Sequence, residues 1–156
     1  MENLNSESNI FNKIAVRPSM ENWDELMEFV TSEAKKYVTD KKKSYGLILA
    51  SEEIISNIVR ASGDKEKVLI EISSQKYVSK DKKKLFSLTI SDNGIKFDPK
   101  FETLTNPCPD IPASDRKIGG LGLFLVKNSC DHVNYIYQNP LNIYTLSTYI
   151  DSLEEN

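Results

Sequence analysis

Three short stretches of this chain carry residue types able to handle a phosphorylated ligand, and they lie far apart in the sequence. Glu53 and Asn57 stand four residues apart in the run LILASEEIISNIVRAS, a spacing that puts both on one side of a helix. A carboxylate and a carboxamide projecting together from a rigid helix can act as a base and as an oxygen ligand for magnesium. Ala50 and Ala61 fall on the same stripe and leave room beside the pair, while Leu47, Ile54 and Ile58 mark a neighbouring apolar face. Taken alone, Glu and Asn at this spacing usually sit on a wetted helix face, and Glu52 is read that way.

The second stretch is Asp92-Asn93-Gly94, which follows FSLTIS and precedes Ile95-Lys96-Phe97-Asp98-Pro99. An aspartate at the end of a buried strand can accept a hydrogen bond from an exocyclic amine, and a glycine two residues on lets a planar ring approach the backbone. On local grounds alone Asp-Asn-Gly is a turn sequence, with Phe97 a loop anchor packed on the core. The third stretch is Gly119-Gly120-Leu121-Gly122, opening the run GGLGLFLVKNSC. Glycines at a helix start let backbone N–H groups face an anion, and the positive end of the helix dipole favours phosphate there. The stretch lacks the lysine and Ser/Thr of a P-loop and falls too late in the chain for a dinucleotide fingerprint.

Positioning these residues requires a mixed chain. NKIAVRP reads as a strand and Ser19 as a helix N-cap, while Trp23, Leu26, Met27, Val30, Ala34, Tyr37 and Val38 form the apolar face of a first helix. The lysine-rich VTDKKKSYG reads as a turn into a second helix, closed by Gly63. Two alternating strands follow, around Val68, Ile70 and Ile72 and around Phe86, Leu88 and Ile90, joined by the solvated loop KYVSKDKKK. The segment 92–118 is punctuated by Gly and Pro and far longer than an ordinary connection, the mark of a functional or disordered loop. A third helix and the strands HVNYIYQ and NIYTLSTYI complete the order. The expected fold is α+β, a two-layer sandwich with a mixed, mostly antiparallel sheet and helices on one face. It covers residues 12–150, between a polar tail 1–11 and an acidic tail 151–156.

The 156 residues fit one domain, large enough to bury a core without disulfides or a structural metal. Two cysteines and one histidine leave too few ligands for a zinc site and disfavour Cys/His catalysis. A net charge of -3 argues against bulk affinity for nucleic acid. The polar opening MENLNSESNI and the lack of a long apolar run point to a cytoplasmic protein with neither signal peptide nor membrane span.

Together, in this order, the three stretches resemble the Bergerat ATP-binding fold shared by gyrase-type ATPases and sensor histidine kinases, the GHKL superfamily. Glu53-x-x-x-Asn57 is similar to its N box, Asp92-x-Gly94 to its first glycine box and Gly119 to Gly122 to its second. The tract Asp-Asn-Gly-Ile-Lys-Phe-Asp-Pro and the run Gly-Gly-Leu-Gly-Leu-Phe-Leu-Val are most similar to the anti-sigma-factor serine kinases of the RsbW type. The resemblance implies an ATP-dependent protein serine/threonine kinase working with ATP and Mg2+. In that picture Glu53 is the general base for the attacking serine hydroxyl, Asn57 binds Mg2+, Asp92 takes the adenine amino group and Gly94 admits the purine ring. Gly119, Gly120 and Gly122 let the lid and helix start close on the phosphates, and Arg116 or Lys117 reaches the terminal phosphate. Asn142 resembles a family asparagine in a similar place. Many relatives read Asn-x-x-x-His-Ala, whereas Asn57 is followed here by Ile58-Val59-Arg60-Ala61-Ser62, without the histidine. The implied partners are a sigma factor and its STAS-type antagonist protein, with no direct nucleic acid, no membrane and a homodimeric state.

Rival readings belong to other classes. A module that holds ATP but transfers nothing would not need Glu53. A detached histidine-kinase ATPase domain would give an acid-labile phosphoryl product. An interaction protein could use the runs Lys41-Lys42-Lys43 and Lys82-Lys83-Lys84, which read more simply as solvated turns. Tyr135, Tyr137, Tyr144 and Tyr149 read as cross-strand packing, and His132 as structural.

Overall fold

Period-two alternation builds five strands, and pairing them leaves one apolar face to be covered by helices. The computed structural model describes residues 9–63, 65, 67–103 and 120–150. The elements are β1 (Asn9–Val16), α1 (Trp23–Tyr37), α2 (Lys41–Ser62), β2 (Ile70–Val78), β3 (Lys84–Asp92), α3 (Gly120–Ser129), β4 (His132–Gln138) and β5 (Leu141–Ile150). They form one sheet in the order β1-β2-β3-β5-β4. Every neighbouring pair in it is antiparallel, in keeping with the mostly antiparallel sheet the sequence suggests. The reason is topological: β3 and β4 run the same way, but β5 inserts between them and pairs antiparallel with both.

The face carrying Ile70, Ile72, Phe86, Leu88, Ile90, Tyr144 and Leu146 packs with Leu26, Val30, Leu47, Ile54, Ile55 and Val126 of the helices into one buried cluster. Glu33 of α1 is buried among these residues. Its two oxygens accept from Asn12 Nδ2 at 2.9 Å and Ser74 Oγ at 2.6 Å, so a carboxylate on an apolar helix face is fully partnered, as burial of a polar group requires.

Two helix starts differ from the sequence reading. Ser19 precedes a 3-10 turn, Met20–Asn22, and makes no side-chain capping bond. Helix α2 begins at Lys41, because the Asp40 carboxylate accepts from the N–H groups of Lys42 and Lys43 at 2.9 and 3.1 Å and caps the helix there. The lysine run 41–43 is therefore its first turn, not a loop. Gly46 consequently lies inside α2, where a Cβ would run into the backbone carbonyl oxygen of Ser129. At the other end of the contact, a Cβ on Gly122 would run into the carboxylate of Glu53. These two meetings fix α3 antiparallel to α2, with the N-terminal end of α3 directed toward the end of α2 that carries Asn57. No helix among the described residues is long and apolar enough to cross a membrane.

The far end of the sheet is tied by Asp131. Its Oδ2 accepts from Lys43 Nζ at 3.3 Å, Thr148 Oγ1 at 2.8 Å and the Tyr149 N–H at 2.9 Å. Burial pushes this carboxyl up, but the Tyr149 N–H, the Thr148 hydroxyl and Lys43 outweigh it and hold it below the ordinary carboxylate range. A lowered folded-state pKa contributes stability above the unfolded value and loses it as pH falls through the folded one. Asp131→Asn is therefore expected to lower the melting temperature at pH 7, with the gap to wild type closing as the pH drops below about 4; scanning calorimetry over pH reads this out. Beside it, burial and then the Asp131 charge push the Cys130 thiol up to about 12, so it stays protonated and unreactive near neutrality.

Candidate functional site

Asp92 ends β3 and sits in register with Asn142 of β5, which brings together two polar side chains fifty residues apart. Both are buried, at 5% and 1% exposure. Asp92 Oδ1 accepts from the Gly94 N–H at 2.8 Å and from Asn142 Nδ2 at 3.4 Å. Its other oxygen takes neither bond. Burial pushes the Asp92 carboxyl above its ordinary value, and the bonds from Gly94 and Asn142 offset part of that. A Cβ on Gly94 would lie 2.9 Å from Asp92 Oδ1, so the turn closes this tightly on the carboxylate because residue 94 has no side chain.

Asn142 is the hub of the site. Its amide nitrogen also donates to the Ile95 carbonyl at 3.0 Å, and its oxygen accepts from the Phe97 N–H at 3.0 Å and the Tyr135 hydroxyl at 2.7 Å. The Tyr144 hydroxyl donates to the Phe97 carbonyl at 3.1 Å. Burial, then the Asp92 charge, pushes the Tyr144 phenol up, which keeps it a donor. Lys96 lies over the Tyr137 ring at 4.9 Å. The strand tyrosines thus do more than pack across strands: together with Asn142 they hold the 95–97 backbone. Asn93 completes the frame from the other side. Its side-chain oxygen accepts from the Leu69 N–H at 2.7 Å and its nitrogen donates to the Lys67 carbonyl at 3.2 Å.

This frame borders a cavity of about 390 Å³ lined by Asn57, Ile58, Arg60, Ala61, Lys65, Val68, Asp92, Gly94, Ile95, Phe97, Asn142 and Tyr144, among others. Its lining suits a planar, amine-bearing ring. Ile58, Val68, Ile95 and Phe97 supply apolar wall, and Asp92 supplies a buried acceptor. Phe97, read from sequence as a core anchor, is 44% exposed and faces this cavity. The core anchor of the loop is Phe101, 6% exposed. The Tyr144 bond holds the Phe97 backbone and leaves its ring outside.

The structure brings Asn57, Asp92 and Gly94 to this one cavity but not Glu53. Glu53 is half-buried against Gly122 and lines a separate hollow of about 530 Å³ with Met20, Trp23, Leu49, Glu52, Ser56, Val59 and Leu125. Gly120 is the first residue of α3. Arg116, Lys117 and Gly119 lie outside the described residues. As arranged, the residues present do not fit a magnesium ion. The side-chain oxygen of Asn57 already accepts from Arg60 Nη2 at 2.7 Å, and the Glu53 carboxylate lines a separate hollow.

Sequence reasoning missed two features. One is Arg60, whose i+3 spacing from Asn57 places it on the same helix face. The other is Gly46, which the lysine-rich composition around it places in a turn although it continues the small-residue stripe of Ala50 and Ala61 by one more four-residue step.

A family model described as a histidine kinase-like ATPase domain matches residues 16–148. No match was found among curated proteins.

Proposed function

The chain belongs to the histidine kinase-like ATPase domain family, and on that premise we propose that it binds ATP over Asp92 and passes the terminal phosphoryl group to a serine or threonine of a partner protein. The observation that carries the nucleotide reading is the buried Asp92–Asn142 pair at the edge of an apolar cavity. Adenine carries an exocyclic amine that donates, and the Asp92 carboxylate is an acceptor for it.

The transfer step rests on Glu53. It stands one helical turn from Asn57, about 6 Å along the axis, and lines the hollow bordered by the exposed side chains of Met20 and Leu125. A hydroxyl entering from that hollow would meet Glu53 before the phosphates. Its oxygen would attack the terminal phosphorus, the bond to the bridging oxygen would break to leave ADP, and the hydroxyl proton would pass to Glu53. Such transfer needs chiefly positioning and charge stabilisation. The partner reading follows the resemblance to anti-sigma-factor kinases: an antagonist protein is phosphorylated, and a sigma factor is held in the alternative state.

Glu53→Gln is expected to leave ATP affinity nearly unchanged and to lower turnover by about 10²–10⁴-fold, the usual worth of a general base. Calorimetric titration measures the first and release of ADP the second. Equal loss of binding and turnover would remove Glu53 from the role of base. The face Glu53 turns away from the nucleotide cavity favours a second reading, a nucleotide-gated binding module without transfer. Unchanged turnover in the variant would select it. Label that survives acid would mark serine or threonine as acceptor and set aside a histidine-kinase domain.

A further inference from the structure

Asn57 and Arg60 form a pair built entirely within one turn of α2. The Arg60 guanidinium donates to Asn57 Oδ1 from Nη2 at 2.7 Å, with Nη1 at 3.5 Å. Arg60 has no carboxylate partner among the described residues, whose ion pairs are Lys13 with Glu71 and Lys43 with Asp131. Its full charge therefore remains available to a ligand. Both side chains line the nucleotide cavity, where Lys65 and Lys96 add two further cations against the single carboxylate of Asp92.

A divalent ion bound at Asn57 Oδ1 would have to displace the guanidinium, because two cations at contact distance on one neutral oxygen repel. The guanidinium also presents several donors in a planar fork that matches phosphate oxygens. Resting on the reading of this cavity as an ATP site, we propose that Arg60 occupies at Asn57 the place a magnesium ion would take, so that this chain binds ATP without requiring a divalent metal. Asn57 then serves as a positioning residue. Its oxygen holds the guanidinium on the cavity side of α2, and the phosphates are met by arginine and lysine instead of by a metal bridge.

Calorimetric titration of the intact chain with ATP, in excess Mg2+ and in EDTA, tests this directly. Wild type is expected to show dissociation constants within about threefold of each other in the two buffers. Arg60→Ala, at an exposed position, is expected to remain folded by thermal melting. It should bind about tenfold or more weakly in EDTA, the worth of one charge-assisted hydrogen bond, and recover in Mg2+ because Asn57 Oδ1 is then free. A wild type that loses tenfold or more in EDTA, or an Arg60→Ala variant with no added metal dependence, overturns the inference while the ATP site stands. A wild type that binds ATP in neither buffer overturns the ATP site and the inference with it.

Discussion

Replacing Asp92 with asparagine is expected to weaken ATP binding roughly 10- to 100-fold, the range for a hydrogen bond to a charged group, while leaving the domain folded. The asparagine oxygen can still accept from the Gly94 N–H and from Asn142. What changes is the second oxygen, which becomes an amide donor facing the donor of the adenine ring. The thermodynamic sign separates this effect from a general loss of structure. Burial raises the Asp92 pKa, and a carboxyl with a raised folded-state value favours folding below its unfolded pKa and loses that contribution as pH rises through the folded one. The ionised group therefore costs stability at neutral pH, and Asp92→Asn should melt at or above the wild-type temperature at pH 7. In wild type, ATP affinity should fall as the pH is lowered toward the raised pKa, while stability moves the other way. Calorimetric titration and thermal melts over the same pH series read both. A variant that binds ATP like wild type would remove Asp92 from the site.

Gly46→Ala is expected to destabilise the fold by about 1–3 kcal/mol, the usual cost of overpacking, or a few degrees in melting temperature for a domain of this size. Local propensity gives the opposite sign, because alanine is favoured over glycine in a helix interior by about 1 kcal/mol. The tertiary contact decides between them. The obstacle to the new methyl is the backbone carbonyl of Ser129, at the end of α3, and a backbone group cannot rotate aside as a side chain can. The same substitution at Gly122 meets the flexible carboxylate of Glu53 instead, so it should disturb position more than stability. Urea melts of Gly46→Ala settle the matter by sign. A gain in stability would mean that α3 shifts at no cost and that the close crossing is not a constraint.

Much of the cavity's polar lining was legible because its residues carry local signals. Asp92 and Gly94 stand two apart at a strand end and Asn57 on one face of a helix, each a property of the backbone alone, whereas Glu53, four residues before Asn57, lines a separate hollow. The spacing of Arg60 is equally local, but its meaning comes from the Asn57 oxygen to which it donates. The start of α2 is hidden in the sequence because three lysines look solvated on composition, whereas one carboxylate, Asp40, two residues before Lys42, decides where the helix begins. Phe97 and Phe101 could not be told apart by sequence. Both are aromatic residues in one glycine- and proline-punctuated segment, and only the bonds that Asn142 and Tyr144 make to residues 95–97 turn Phe97 outward.

The amino-acid order by itself determined the succession of elements, the apolar face of each and the chemical types brought to the site, because helix and strand periods are set within a few residues. The folded chain decided that β5 runs between β3 and β4, that Asn142 lands opposite Asp92, that Glu53 faces α3 while Asn57 faces the cavity, and that Arg60 donates to Asn57 Oδ1. These outcomes depend on strand register and helix crossing. Both are fixed by contacts among residues tens of positions apart, whose partners no local pattern names.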